Sequence, residues 1–158
     1  VTGGSSVMYA WNAATGNPAT GWLGSGLNLG GPSRSSPWVS EGWAVAGRDD
    51  HALSGLLVSG AGYAPGLPVK PYGVREFSAP PVVVNGTIYV GGADGRFYAL
   101  QRSTGATDPG TTWRVFNSAT AGLPGQFLTA ACVTGPTASD RVVAACSNGY
   151  LYAFPLVP

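Results

Sequence analysis

Charged side chains are scarce in this sequence, and their scarcity narrows the kinds of protein it can encode. They make up 9% of the 158 residues and leave a formal net charge of +1, whereas soluble domains usually carry about 25%. No basic run is present that could follow a nucleic-acid backbone. So little charge fits a secreted chain or one buried in an assembly, so we expect an extracytoplasmic location and no nucleic-acid partner.

Membrane-spanning and targeting segments are also missing from the sequence. No apolar stretch approaches the roughly 20 residues of a membrane-spanning helix, so we expect no membrane span. The chain does not begin with methionine, and residues 1–4 resemble an interior cut more than a signal peptide. We therefore expect a processed chain or a piece of a longer polypeptide.

Residues 78–113 contain a run of short strands joined by tight turns. Asn85-Gly86 is a two-residue hairpin turn of the kind that needs positive φ at both positions. Ala93-Asp94-Gly95 is a second turn. The four β-rich runs around these turns are 80–84, 87–91, 96–101 and 111–116. Strands in this order predict an antiparallel meander, not a βαβ unit.

The second of these turns recurs along the chain. Residues 90–95 have a counterpart 45 positions upstream at 45–50 and another 54 positions downstream at 144–149. The pair Tyr98-Ala99 recurs as Tyr9-Ala10 and Tyr152-Ala153. A period of about 40–50 residues with four short strands is typical of a β-propeller blade. A β-sandwich, the alternative, would not need the same turn in each unit.

The sequence therefore predicts an all-β fold of about three to four β-propeller blades, each a four-stranded antiparallel meander. The predicted units are a partial blade at 5–24, a blade at 35–77, a blade at 78–118 and a partial blade at 126–158. The blade at 35–77 includes a Gly- and Pro-rich insertion at 55–71. Strands are predicted at 37–39, 43–46, 81–84, 88–91, 97–100, 142–145 and 151–154. Since the chain starts and stops inside blades, we expect an arc of a larger propeller whose end faces need covering.

Several motifs resemble one known repeat. Ser35-Ser36-Pro37, residues 92–100 and Thr104-Gly105 are similar to the PQQ-like (quinoprotein) β-propeller repeat, and residues 9–16 form a second match. Asn12 and Gln101 depart from it, because the repeat has aspartate there. The resemblance implies structural roles for one set of residues, with the tryptophans docking between blades: Trp22, Trp113, Tyr9, Tyr98, Tyr152, Gly92, Asp94 and Gly95.

Residues able to support catalysis are few. A quinoprotein dehydrogenase needs a carboxylate base, a calcium ion and usually two adjacent cysteines, and this chain has no Cys-Cys pair. Asp49, Asp50 and Asp94 fall in repeat turns, where aspartate caps its own backbone. His51, the single histidine, is predicted in a surface turn. We therefore assign no catalytic, cofactor-binding or metal-binding residue and expect no cofactor.

Three further predictions concern individual side chains. Cys132 and Cys146 lie on one predicted hairpin and form a disulfide only if its turn centres near residues 139–140; otherwise they are two small core residues. Asn85 begins a glycosylation sequon, although the hairpin turn alone explains Asn-Gly. The tryptophans at 11, 38 and 43 are expected to pack within the blades.

These observations favour a non-enzymatic, extracytoplasmic scaffold or protein-interaction module. Its expected partners are remaining blades, a second copy or another subunit. One alternative is a fragment of a PQQ-dependent dehydrogenase, because the repeat that this sequence resembles serves enzymes, assembly lipoproteins and surface proteins alike. A carbohydrate-binding propeller is the other.

Overall fold

Short antiparallel strands make up the regular structure of the chain, as the turn-rich sequence predicts. A computed structural model describes the following residues: 6–22, 26–40, 42–58, 75–101, 115–135, 137 and 139–156. The strands are β1 (Val7–Met8), β2 (Leu27–Asn28), β3 (Trp38–Ser40), β4 (Trp43–Gly47), β5 (Leu53–Leu57), β6 (Val82–Val84), β7 (Thr87–Gly91), β8 (Arg96–Gln101), β9 (Val115–Asn117), β10 (Cys132–Val133), β11 (Arg141–Ala145) and β12 (Leu151–Pro155). These ranges contain no helix.

The strands form four antiparallel sheets in chain order. The first sheet pairs β1 with β2, the second is β3-β4-β5, the third is β6-β7-β8-β9 and the fourth is β10-β11-β12. Each strand of the last three sheets pairs with its sequence neighbour, so the sheets are meanders. In the third sheet Val84 pairs with Thr87 across a turn in which Asn85 and Gly86 have φ of 51° and 76°. The predicted hairpin turn is confirmed.

The seven strands predicted from the sequence are all confirmed, with every boundary within one residue of its expected place. One part of the prediction is wrong: the insertion in the second sheet does not begin at Gly55. Residues 55–57 pair with Val45, Ala44 and Trp43 as part of β5. Gly55 opens the Gly- and Pro-rich stretch on which the predicted insertion was based, yet cross-strand pairing with Val45 holds it in β5. The rest of the predicted insertion lies mostly outside the described residues.

The repeat register also differs from the predicted one in the second sheet. Gly47 pairs with Leu53 as Gly91 pairs with Phe97, so the two turns are 44 positions apart, not 45. His51 then occupies the position of Gly95, and both have positive φ, 69° and 79°. The downstream offset of 54 is confirmed, because Ala145 pairs with Leu151 in the same way.

Three apolar clusters fill the spaces between successive sheets. Between the first and second sheets, Met8 and Leu29 pack with Ala44 and Leu56. Between the second and third, the cluster is Val45, Leu53, Phe77, Val83, Ile88, Val90, Tyr98 and Leu100. Between the third and fourth, it is Tyr89, Phe97, Ala99, Phe127, Val142, Ala144, Cys146, Phe154 and Leu156. Each inner sheet therefore buries side chains on both faces, one face against each neighbour.

Backbone hydrogen bonds reinforce this stacking at one edge of the sheets. Phe77 donates its N–H to the carbonyl of Arg48, and Phe127 donates to Gly92 in the equivalent position. Asp49 and Ala93, the residues that follow Arg48 and Gly92, each donate a backbone N–H to the connecting segment that precedes their own sheet. Connecting segments are thus held between the turns of consecutive sheets, which fixes the spacing of the sheets.

Candidate functional site

Asp94 organises the recurring turn in the third sheet. Its Oδ1 accepts the backbone N–H of Arg96 at 3.1 Å, and its Oδ2 accepts the hydroxyl of Tyr98 at 2.5 Å. Arg96 lies 3.6 Å away as an ion-pair partner. The Asp94 side chain is only 2% exposed, so these bonds stabilise a carboxylate that water scarcely reaches. The predicted backbone cap at Asp94 is present, and a tyrosine contact that the sequence did not predict accompanies it.

The fourth sheet repeats this arrangement with a neutral side chain. Asn148 accepts the backbone N–H of Tyr150 at 3.1 Å and donates from Nδ2 to the Tyr152 hydroxyl at 2.8 Å. In this pair the tyrosine oxygen accepts, whereas in the third sheet it donates. The same turn geometry is therefore compatible with aspartate or asparagine.

Removing the Asp94 side chain is expected to destabilise the protein. Asp94→Ala leaves the buried Tyr98 hydroxyl and the Arg96 amide without this acceptor, which should lower the free energy of unfolding by about 1–3 kcal/mol. Asp94→Asn should cost less, because Asn148 holds the equivalent turn. Urea unfolding of both variants measures the difference. Equal losses in the two variants would contradict this role of the carboxylate.

Burial raises the pKa of the Tyr98 hydroxyl, and its hydrogen bond to Asp94 raises the pKa further. A folded-state pKa above the unfolded value of about 10 means that the folded state holds the proton longer. The stabilisation is complete below about pH 10 and is lost as the pH rises through the folded-state value. We expect the free energy of unfolding to fall above about pH 10, and to fall less steeply in Tyr98→Phe. Denaturant unfolding across this range measures the slope, and an unchanged slope in Tyr98→Phe would contradict this assignment.

Arg48 is a second buried charge, in the turn of the second sheet. It is 2% exposed and donates to the carbonyls of Leu29 at 3.0 Å and Gly30 at 2.7 Å, and it pairs with Asp50. These contacts tie the segment after β2 to the second sheet. Asp50 therefore supports an ion pair, and its prediction as a simple backbone cap is wrong.

Asp49 and His51 complete this turn. Asp49 pairs with Arg34 at 3.1 Å on the surface, where the arginine is 63% exposed; this ion pair was not predicted. An exposed pair of this kind contributes at most about 1 kcal/mol. His51 lies in the turn before β5 and is partly exposed, which confirms its predicted place. None of these side chains forms a cluster suited to a metal ion, and the described residues contain no such cluster elsewhere.

A cleft of about 440 Å³ opens beside the Asp94 turn. Its walls come from the turn itself and from the loop after β9, where buried Ser118 bonds both backbone groups of Gly125. Gln126 closes one side by donating to the Ala93 carbonyl at 2.9 Å. The polar groups of Ser118, Gly125, Gln126 and Ala93 thus bond to one another, and exposed Arg75 also lines the cleft.

A second, apolar groove of about 350 Å³ lies where β3, β6 and β10 approach one another. Trp38, Val82 and Cys132 are among its lining residues. Trp38 is 37% exposed, and Trp11, which follows β1 and forms an isolated bridge with Pro18, is 50% exposed. Both were expected inside the blades, and that expectation is wrong for them; Trp43 packs against the cluster between the second and third sheets, as expected.

The two cysteines lie on the hairpin of the fourth sheet, as predicted, but out of register. Cys132 pairs with Val143, three residues before Cys146, because the turn centres between residues 137 and 138. Both thiols are free; Cys132 is exposed and Cys146 is buried. The disulfide alternative is therefore not formed in this structure.

Thiol labelling checks this assignment. We expect native, unreduced protein to label quickly at Cys132 and slowly at Cys146, since burial shields the second sulfur. Unfolding without reductant should expose both thiols to the reagent. An unfolded, unreduced sample that takes up no label would contradict the assignment.

The other residues singled out from the sequence lie at separate places. Trp22 is buried among the residues between the first and second sheets, and its indole N–H donates to the Val58 carbonyl at 2.7 Å. Asn85 is exposed at its hairpin turn, and its glycosylation stays a prediction. Trp113 lies outside the described residues. The structural roles implied by the resemblance and the blade boundaries predicted from the repeats also stay predictions.

The outward face of the fourth sheet is largely apolar and uncovered by any described residue, with exposed Arg141 at one end of it. Leu151 is 73% exposed, Ala153 is exposed, and Val143 and Ala145 are partly exposed on the same face. At the equivalent positions of the third sheet, Phe97 and Ala99 are fully buried. The sequence reasoning missed these residues, although their alternation along β11 and β12 was a signal that could have identified them.

Comparison with protein-family models finds no match, and comparison with curated proteins finds none either. Among solved structures, the chain is similar to BamB from Moraxella catarrhalis, with a TM-score of 0.65 and 21% identity over 96% of this chain and 40% of that one. It is also similar to two computationally designed proteins. Ika8 matches with a TM-score of 0.62 and 14% identity over 97% of this chain and 41% of that one. Ika4 matches with a TM-score of 0.60 and 12% identity over 99% of this chain and 83% of that one.

These likenesses concern the fold alone. The four sheets are β-propeller blades, complete or partial, and the chain spans about two-fifths of the length of BamB and of Ika8. The all-β propeller prediction is confirmed; membership of the PQQ-like family stays a prediction. The described residues include no helix long and apolar enough to cross a bilayer.

Proposed function

We propose that this chain is a non-enzymatic β-propeller scaffold that binds protein through its end faces, outside the cytoplasm. The observation that carries the proposal is the uncovered apolar face of the fourth sheet. Leu151 is 73% exposed there, beside Val143, Ala145 and Ala153. An exposed patch of contiguous apolar side chains is typical of a surface that another molecule covers.

The third sheet supports this interpretation with an internal comparison. Its equivalent face is covered by the fourth sheet, and Phe97 there stacks on Phe154 with ring centroids 5.0 Å apart. Tyr89 and Ala99 on the same face are fully buried. The fold thus uses this face for packing between sheets. We therefore expect a protein partner to cover the equivalent, exposed face of the fourth sheet.

The low charge of the chain supports the proposed location. A net charge of +1 and 9% charged residues provide little electrostatic repulsion between copies, which normally helps proteins stay soluble and separate. Such a surface suits a protein held in an assembly. Fractionation of the natural host with an antibody to the chain tests the location; recovery in the cytoplasm would contradict it.

Photo-crosslinking tests the binding function. A benzophenone amino acid at position 151, in the natural host, should give a discrete protein adduct whose partner mass spectrometry identifies. The same group at the neighbouring position 150 is a matched control, because Tyr150 is 52% exposed and precedes β12. No adduct at position 151, or equal adducts at both positions, would contradict the proposal.

The enzymatic alternative has its own test. Purified chain incubated with pyrroloquinoline quinone and calcium should show no retained visible absorption band after gel filtration if the protein is not a dehydrogenase. A stoichiometric retained quinone would favour the dehydrogenase reading over the scaffold.

A further inference from the structure

We infer that the end faces bind each other head to tail, so that the fourth sheet of one copy packs on the first sheet of a second copy. This inference rests on the proposed binding function and names its partner. It starts from the three interfaces between successive sheets of the chain. In each interface, one face of a sheet packs against the opposite face of the next sheet.

We call the face of a sheet that packs against the next sheet its leading face, and the face that packs against the preceding sheet its trailing face. The exposed face of the fourth sheet is its leading face. In the second sheet this face carries Val45 and Leu53, which pack against the third sheet. In the third sheet it carries Tyr89 and Phe97, which pack against the fourth. By strand register, Val143 and Leu151 hold these positions in the fourth sheet.

The first sheet exposes the opposite, trailing face. Met8 packs toward the second sheet, together with partly buried Ala10. Alternation along this segment points Tyr9 and Trp11 the other way. Trp11 is 50% exposed and stacks on Tyr9 with ring centroids 5.2 Å apart. An apolar aromatic pair is therefore available on the trailing face.

The same positions form an internal interface in the third sheet. Matching Tyr9 to Tyr98 matches Trp11 to Leu100, and both Tyr98 and Leu100 are buried against the second sheet. The leading and trailing faces at the two ends of the chain are thus copies of surfaces that already pack together inside it. Two identical faces pressed together would not reproduce this pairing.

The match between the two end faces and a substitution favour a second copy as the occupant. Ala145 stands where Gly91 lets the Phe127 backbone approach. The Ala145 side chain disfavours a partner whose backbone must come as close as that of Phe127. The first sheet of a second copy can instead make contact through the side chains of Tyr9 and Trp11. A closed two-copy ring has two equivalent heterologous contacts.

The test is the solution mass of the 158-residue chain and of two variants. Light scattering should give about twice the 16.0 kDa of one chain. Trp11→Asp removes the trailing face and Leu151→Asp the leading face, so each variant alone should be a monomer, with a dissociation constant raised at least about tenfold. Tyr150→Asp, beside the leading face, should keep the wild-type mass.

Mixing the variants makes the test specific for head-to-tail contact. Trp11→Asp keeps an intact leading face and Leu151→Asp an intact trailing face, so a 1:1 mixture should form a heterodimer through one contact. This rescue also shows that both variants are folded, and circular dichroism checks each alone. A wild-type monomer at all concentrations, or either variant dimerising by itself, would overturn the inference.

The crosslink at position 151 separates this inference from the proposed function. An adduct to the peptide carrying Trp11 of another copy supports both. An adduct to a different protein overturns the inference and leaves the binding function standing. No adduct contradicts both.

Discussion

Replacing Phe97 with alanine is expected to lower the free energy of unfolding by about 3–5 kcal/mol, the range for truncating a buried phenylalanine. Phe97 is fully buried. Its ring stacks on Phe154 at 5.0 Å and contacts Phe127 at 5.5 Å. These partners come from the fourth sheet and its connecting segment, so the cavity would open between two sheets, where neither sheet can close it without moving the other. Urea unfolding followed by tryptophan fluorescence measures the loss.

Leu151→Ala is the matched control. Leu151 holds the position of Phe97 in the fourth sheet but is 73% exposed. In the monomer we expect its replacement to change stability by no more than about 0.5 kcal/mol. If both variants lose the same stability, the fourth sheet is covered in the isolated chain, and the exposed face described above does not exist.

The strands could be predicted because their signals are local. Asn85-Gly86 specifies positive φ at two successive residues, and both have it. Alternation and β-branched residues placed the neighbouring strands to within one residue. Strand order followed, since short turns permit pairing only with the neighbouring strand.

The contacts of Arg48 could not be predicted, because they are not local. Its carbonyl partners, Leu29 and Gly30, lie 19 and 18 residues upstream. A difference of one residue in register determines which repeat position Arg48 occupies. With an offset of 44, Arg48 lies at the position of Gly92, and its side chain contacts the preceding segment. The turn residues alone aligned the two turns at an offset of 45, and only the strand pairing shows that the offset is 44.

The cysteine pairing was left open for a related reason. Whether Cys132 and Cys146 face each other depends on the centre of one turn, and Thr134, Thr137 and Asp140 set that centre. Asp140 accepts from the backbone N–H of Thr137 at 2.9 Å and from the Thr134 hydroxyl at 3.0 Å. The Thr137 hydroxyl also donates to this carboxylate, and its hydrogen bond, followed by these two, lowers the pKa of the Asp140 carboxyl. Side-chain hydrogen bonds of this kind leave only a weak trace in sequence.

The sequence also contained a signal for the exposed face, which the predictions above did not use. Where the third sheet has Gly91 and Phe97, the fourth has Ala145 and Leu151. A small glycine and a large aromatic residue suit a covered face with a close backbone neighbour, and both are replaced in the fourth sheet. Comparing repeat positions by size, in addition to type, would have predicted that the fourth sheet has a different environment.

Gly91→Val is expected to lower the free energy of unfolding by at least about 3 kcal/mol, toward the upper end of overpacking costs. A Cβ at Gly91 would lie 2.7 Å from the Phe127 carbonyl oxygen and closer still to the Phe127 Cβ. Both belong to the segment between the third and fourth sheets, and Phe127 also donates its N–H to the Gly92 carbonyl at 3.2 Å. The segment can move only by breaking that hydrogen bond and by withdrawing a fully buried ring. Thermal and urea unfolding measure the cost.

Ala145→Val provides the control at the equivalent position of the fourth sheet. Ala145 is partly exposed at the end of β11, and no described connecting segment lies over it as Phe127 lies over Gly91. Valine suits a strand position with free space beside it, so we expect a change within about 1 kcal/mol. A loss as large as that of Gly91→Val would mean that backbone covers Ala145 as well. In the head-to-tail dimer, by contrast, the added methyl groups lie within the contact, so this variant should alter association between copies more than the stability of one copy.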